Sequence, residues 1–450
     1  GTGGTGGTAG TGGTGGTGGG GMAFCEGKGV DFCAQNGSNG LAEITNAKQE
    51  ITEDTCFSAA CDYLITPETY VIGATMYVEA GAQFFGKGGS ALIVTTTGKI
   101  EAAGTVDAPI VFGSSAPDGQ RKTGDWGGVV LLGKAKLSWG GATCDGVAGE
   151  CTNNIEGLPP TEGRGVFGGN DDSHDCGTLK YVRIEYAGFT FGPDNELNGL
   201  TVGGCGDQTT LSYIQIHRGL DDGVEFFGGT ANADHFVVSG PGDDCFDWDE
   251  GYRGTITNFI GDHFNPSSSD PRGIEADNYK NNNDVEPRSA PELQYGTLVG
   301  SPTAESGIVN RRGTWGVQSG LVVVNWPSAG YDYRDGGWDV AGGWGDGLLV
   351  DNSCFWNNNP DYAVDDPSDC ADPIVSDCND DNGSGVFFHE NDVLVDVALN
   401  NAEIDPMLGD VSGSATGGNP DYSIGNAACL GAFAPDGVDW TQGWTSYPVE

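Results

Sequence analysis

Short apolar runs, parted by Gly, Asn and Asp, return along this chain at a spacing that suits neither helices nor propeller blades. Tyr181–Ile184, Tyr213–Ile216, Phe236–Val238, Ile256–Ile260, Tyr295–Val299 and Leu321–Val324 recur at intervals of about 20 to 40 residues. A second series is interleaved with them: Leu200–Val202, Val224–Phe227, Phe246–Trp248 and Ile274–Ala276 lie 24, 22 and 28 residues apart. The runs are rich in β-branched and aromatic residues and carry no sustained 3.6-residue period, so they read as strands. Two or three short strands per irregular turn is the pattern of a solenoid whose coils bury apolar side chains only against their neighbours. The expected fold is all-β, a right-handed parallel β-helix over residues 67–350.

The flanks differ. Residues 1–21 form a Gly-Thr-Gly triplet repeat with Thr2, Thr5, Thr8, Thr11, Thr14 and Thr17 in phase. Three residues per turn is the period of polyproline-II-like helices, which places every Thr on one edge. Such an arm serves either as a flexible linker or as a connector between copies, and its hydroxyls are candidates for O-linked sugar. Residues 22–66 hold four cysteines and read as an N-terminal cap; residues 351–450, rich in Cys, Asp and Asn, read as a C-terminal cap.

With 64 Asp and Glu against 19 Lys and Arg, a formal charge of −45, nucleic acid is excluded as a partner. Divalent cations are the natural counter-charge, Ca²⁺ first among them outside cells. The 13 cysteines follow no zinc pattern and are expected in disulfides, hence an oxidising compartment. Local pairs Cys25 with Cys33, Cys56 with Cys61, Cys144 with Cys151 and Cys370 with Cys378 would staple loops. Cys176 with Cys205 and Cys354 with Cys429 would make longer links, leaving Cys245 free. No apolar run is long enough to span a membrane. The expected location is the cell surface or beyond, as an exported product with its signal peptide removed.

The densest chemistry-bearing pattern is acidic: Asp221, Asp222 and Glu225; then Asp243, Asp244, Asp247, Asp249 and Glu250; then Glu275 and Asp277. Glu225 to Asp247 is 22 residues and Asp247 to Glu275 is 28, which are coil periods. On a parallel β-helix these carboxylates stack about 4.8 Å apart. Stacked carboxylates either gather a hard cation or raise one another's pKa. His217, Arg218, Arg253 and Arg272 are the basic residues positioned to neutralise them otherwise.

The segments DAPIVFGS, DWGGVVLLGKA, NNIEGLP, HRGLDDGVEFFGGTANADHFVVSGPGDDCFDWDEGYRG, GIEADN and GAFAPDGVDWTQGW together resemble a family of bacterial secreted and surface β-helix proteins, often lipoproteins, with no assigned activity. The resemblance implies a pectin-lyase-like solenoid and export, and no reaction. The fragment GDDC is also similar to a polygalacturonase motif, which would make Asp222, Asp243, Asp244 and His263 an alternative catalytic set on successive coils. That family's Gly-His-Gly segment is replaced here by GDHF. A lyase mechanism with calcium and an arginine base would point instead at Arg272, whose bland role is a salt bridge. Trp315, Trp326, Tyr331, Tyr333, Trp338 and Trp344 are a candidate aromatic surface for sugar stacking or a subunit interface, unless they fill the last coils.

These features give two readings. One is a calcium-stabilised extracellular structural subunit that polymerises with other copies of itself through the Gly/Thr arm. The other is a surface polysaccharide-binding protein or polygalacturonase-like hydrolase or lyase, tethered by the same segment.

Overall fold

The structure is a computed structural model describing residues 24–37, 40–44, 50–138, 151–160, 163–192, 195–264, 266–280, 283, 285–334, 347–361 and 399–450. Alternating apolar residues force the architecture. In Leu200–Gly203, Val224–Phe227 and Phe246–Asp249, the side chains of Leu200 and Val202, Val224 and Phe226, and Phe246 and Trp248 turn inward and are buried. Their neighbours in sequence point out, because successive Cβ atoms alternate across a strand. Ten such strands, from Glu50–Ile51 to Ala329–Tyr333, form one parallel sheet stacked in chain order.

A second, 18-stranded sheet makes the other two sides of the coil. In the early coils these sides are separate strands, such as Lys99–Ala103 and Ile110–Ser114. Gly177–Glu185 pairs with both of them, and from there through Glu292–Val299 each coil runs as one long bent strand, after which the sides separate again into Gly316–Ser319 and Val322–Val324. The bend falls on a single residue with positive φ: Tyr181 (48°), Tyr213 (55°), His235 (57°), Asn258 (53°) and Tyr295 (59°). A left-handed backbone costs a non-glycine residue roughly 1–2 kcal/mol. Stacking of the side chains it aligns offsets part of that, with Tyr181 on Tyr213 at 4.4 Å and Tyr213 on His235 at 4.3 Å. Inside, aromatic rings also stack from coil to coil, Tyr63 on Phe84 and Phe84 on Phe112, both at 4.8 Å. The chain is a parallel β-helix.

The parallel ladder begins well before residue 67. Val30–Asp31 pairs with Thr55–Phe57, and Leu41–Ile44 with Asp62–Ile65, so the cysteine-rich segment already winds as coils. That corrects the expected disulfides there. The bonds are Cys25–Cys56 and Cys33–Cys61, spanning 31 and 28 residues, in place of Cys25–Cys33 and Cys56–Cys61. Residues one coil apart are lateral neighbours, whereas close neighbours in sequence point along one coil. Cys176–Cys205, spanning 29 residues, links adjacent coils in the same way. In the chain-entropy model each such link constrains the unfolded state by about 3–4 kcal/mol. Cys354–Cys429 forms as expected, Cys245 is free and buried, and Cys151 is disulfide-bonded. Cys144, Cys370, Cys378, Trp338, Trp344 and the arm threonines lie outside the described residues.

The C-terminal residues do more than cover the last coil. From Cys429 they run back along the outer face of the large sheet. Gly431 N–H donates to Gly320 O at 3.0 Å, Asn258 Nδ2 to Ala432 O at 2.9 Å, and Arg183 Nη1 to Trp444 O at 3.2 Å. Tyr186 Oη then donates to Pro448 O at 2.8 Å. The strap buries outward apolar residues of the sheet, Val237 and Ile260, under Phe433 and Tyr447. Trp444 meets Tyr181 edge-on at 5.8 Å. No helix among the described residues is long and apolar enough to cross a membrane.

Candidate functional site

The acidic residues occupy the outward positions of the ten-stranded sheet. Pairing in register sets Thr201 beside Glu225, Glu225 beside Asp247, and Asp247 beside Glu275. A second column runs through the turn just before the strands. There Asp222 N–H donates to Asn198 Oδ1 (3.3 Å), Asp244 N–H to Asp222 Oδ1 (2.8 Å) and Arg272 N–H to Asp244 Oδ1 (2.5 Å). Each side chain thus accepts the main-chain N–H one coil on, which ties successive members of the second column to one another.

Three groups of carboxylate oxygens converge to within 4.8 Å of one another: Asp221, Asp222 and Asp243; Asp222, Glu225 and Asp247; Asp244, Asp247 and Glu275. Oxygens bound to Ca²⁺ at about 2.4 Å lie on a sphere on which no two are more than roughly 4.8 Å apart. Each group is therefore compact enough for one cation.

The two ends of the ladder are neutralised differently. Glu275 is bridged by Arg272 and Arg311, and Asp277 by Arg311 at 2.8 Å and by Arg312. Arg272, buried to 3% exposure, also meets Asp270 at 2.8 Å and Glu305 at 3.1 Å. Surrounded in this way it is a structural ion-pair centre rather than a free base. Arg272 also comes within 3.8 Å of Asp244, but none of the described arginines pairs with Asp221, Asp222, Glu225 or Asp243: Arg253 pairs with Asp172 and Arg218 faces Glu450. His217 bonds Ser239 and the strap at Pro448 O, so it does not reach the acids either.

The buried carboxyls of the ladder hold their protons tightly. Burial, then the nearby Asp243, pushes Asp221 up to about 8. Burial, reinforced by neighbouring carboxylates, raises Asp222, Glu225, Asp244 and Asp247 well above the usual range. Asp249 is pushed to about 6 by burial. Oδ1 of Asp243, Oδ1 of Asp247 and Oε2 of Glu250 are buried without a hydrogen-bond partner. Buried acceptors of this kind are costly unless something positive meets them.

Two side chains that pack against Glu225 have no coil-period signal. Glu156, in the long insertion between Val129–Leu132 and Leu200–Gly203, hydrogen-bonds Glu225 and is raised to about 7 by burial and by Glu196. Asn198 Nδ2 donates to Glu225 Oε2 at 2.6 Å.

Two expectations are corrected. Asp222, Asp243 and Asp244 come together, but His263 does not join them as a catalytic partner. It is 1% exposed and its Nε2 bonds the main-chain oxygen of Asp243, with the ring against Trp326 at 6.0 Å; burial lowers it to about 4. Among the described aromatic residues, Trp326, Tyr331 and Tyr333 form no surface. Trp326 and Tyr331 are 0% exposed and Tyr333 2%, because they take inward positions on the last coils, while Trp315 stacks on Arg288 at 4.2 Å.

Residues 49–342 match the family model described as the pectate-lyase-like beta helix domain. The chain belongs to that family. Among solved structures, this pectate-lyase-like β-helix is similar to the catalytic domain of a GH87 alpha-1,3-glucanase in complex with tetrasaccharides. The two share 12% identity with a TM-score of 0.22, over 72% of this chain and 61% of that one. The chain thus spans less than two thirds of that domain, and a likeness this distant carries no argument about the site. No curated protein matches the sequence.

Proposed function

We propose that the protein is an exported, calcium-dependent polysaccharide-binding β-helix protein whose working surface is the acidic ladder from Asp221 to Asp247. The observation that carries this reading is the overlap of three carboxylate groups on neighbouring coils, with buried Asp243 Oδ1 and Asp247 Oδ1 unpartnered among them. Asp222 and Asp247 each belong to two groups, so they would be central ligands, with Asp221, Glu225, Asp243 and Asp244 completing the oxygen set. Ca²⁺ would supply the missing positive charge and leave coordination positions for sugar hydroxyls or carboxylates. Family membership favours a glycan partner over a fibre built through residues 1–21. Coil-to-coil disulfides support an oxidising, exported setting.

Hydrolysis is the second reading, favoured by one observation. Asp221, raised to about 8, would stay protonated at neutral pH beside other carboxylates, as a general acid requires. The oxygens within 4.8 Å of one another are, however, closer than the roughly 5 to 9.5 Å between the two carboxyl groups of glycosidases. The test is calorimetric titration of chelator-stripped protein with Ca²⁺, followed by retention on immobilised polysaccharides with and without the ion. Calcium binding and calcium-dependent retention are expected. Absence of both would sink the proposal, and release of reducing ends would move it to the hydrolase.

A further inference from the structure

Away from the acidic ladder, a cavity of about 370 Å³ opens at the seam between the coils and the C-terminal strap. Asp118, Arg121, Arg183, Glu185 and Tyr186 line it from the solenoid, and Ser446 and Pro448 close it from the strap, some 260 residues away in sequence. Its size lies in the range of small-molecule sites, roughly 300–1,000 Å³.

The lining is unusual for this chain. In a chain with 19 Lys and Arg against 64 Asp and Glu, this lining sets two arginines against two carboxylates, Asp118 and Glu185, a local balance of charge that the chain as a whole lacks. Neither guanidinium is used up by its protein contacts. Arg121 donates from Nε to Ala116 O at 3.2 Å and meets Asp118 at 2.9 Å. Arg183 reaches Trp444 O at 3.2 Å and Glu185 at 3.1 Å. Each of these side chains has five N–H donors in a planar fork that matches a carboxylate or a sulfate oxygen pair. Glu185 is 3% exposed, and its Oε1 has no well-aligned hydrogen bond despite the ion pair. It offers a buried acceptor next to the arginine donors. The Tyr186 hydroxyl is spent on the strap, so its ring serves as a wall.

We propose that this cavity binds a small hydroxylated ligand carrying one oxyanion group, about one sugar ring in size, and that the ligand fastens the strap to the solenoid. The oxyanion takes the free N–H groups of Arg121 and Arg183, and a ligand hydroxyl donates to Glu185. Because Ser446 and Pro448 form the far wall, a bound ligand touches both parts of the seam.

The test is calorimetric titration of the whole chain with glucuronate and with glucose sulfate, glucose being the neutral control. Saturable binding of one anion and none of glucose is expected, and the anion preferred separates a planar carboxylate from a tetrahedral ester. Arg121→Gln, which touches no strap residue, should weaken that binding at least about tenfold, the order expected for charge-assisted hydrogen bonds, with an unchanged melting temperature. Amide exchange in residues 441–450 should slow when the anion is bound. The proposal is overturned if neither anion binds saturably, if glucose binds as well as the anion, if Arg121→Gln leaves the affinity intact, or if exchange in the strap does not respond.

Discussion

Glu225 and Asp247 are direct register partners on adjacent parallel strands, both pointing out of the sheet, with no arginine between them. Like charges directly opposite one another destabilise a sheet. One coil further, Asp247 faces Glu275, but there Arg272 and Arg311 are inserted. The same column is thus an ion-pair network at one end and a cation-seeking face at the other.

Asp247→Asn removes a carboxylate shared by two of the three groups. In chelator, the variant should melt higher than the parent, because a repelling neighbour of Glu225 is gone. In calcium, its advantage should vanish and its ion affinity fall at least about tenfold, since ligand charge count tunes calcium affinity over decades. Calorimetric melting with and without calcium reads both. A variant that melts lower in both conditions would show that Asp247 is held by something other than an ion.

The pH dependence without calcium follows from the same groups. Asp221, Glu156 and Asp249 have folded pKa values raised to about 8, 7 and 6, so the folded state binds protons more tightly than the unfolded chain. Their contribution to stability is full below about pH 4, where the unfolded carboxyls are also protonated, and is lost progressively as pH rises from there to 6, 7 and 8 respectively. His217 and His263, lowered to about 3 and about 4 by burial, act in the opposite sense: their contribution is full above 6.5 and is lost as pH falls toward those values. Chelator-treated protein should therefore gain melting temperature steeply as pH drops from 8.5 to about 6.5 and more gradually from there to about 4, where the two histidines oppose the carboxyls. Saturating calcium should flatten the upper part of the profile, because the ion takes the place of the protons.

The repeat was legible because the coil period is written in inward apolar residues. Leu200, Val224, Phe246 and Ile274, read at separations of 24, 22 and 28, are register partners in the sheet, and the outward acids between them had to follow. What escaped the sequence depends on contacts with no period. Glu156 reaches Glu225 from an irregular insertion. Trp444 lies on Tyr181 although more than 260 residues separate them, so the last segment reads as a cap until its partners are seen. The crossed disulfides of Cys25 and Cys33 had the same cause, since lateral neighbours in a solenoid are a coil apart. Trp326 and Tyr331 misled because a Gly- and Asp-rich setting does not tell an inward position from an outward one.

Trp444→Ala should loosen the strap without unwinding the coils. The side chain is 1% exposed, packs on the Tyr181 and Tyr213 rings, and donates from Nε1 to Trp440 O at 2.9 Å. Truncating a buried Trp costs about 3–5 kcal/mol. Because Cys354–Cys429 still anchors the start of the strap, the loss should appear as fast amide exchange in residues 431–450 and as new binding of an apolar dye to the bared Val237 and Ile260. Slow exchange across this segment in the variant would mean that the remaining main-chain contacts hold it alone.

Arg272→Ala tests whether the upper ladder is structural. Arg272 is 3% exposed and is surrounded by Asp244, Asp270, Glu275 and Glu305, meeting Asp270 at 2.8 Å and Glu305 at 3.1 Å. Removing one partner of a buried ion pair leaves uncompensated charge and costs about 3–5 kcal/mol. The variant should be destabilised by that order in denaturant melting. Arg272→Lys should recover only part of it, because an ammonium cannot span several carboxylates as a planar fork does. Calcium should restore part of that stability to Arg272→Ala, since the group of Asp244, Asp247 and Glu275 would keep only Arg311 as a competing cation. An Arg272→Ala protein that melts like the parent but loses action on a polysaccharide would instead return Arg272 to the role of a catalytic base.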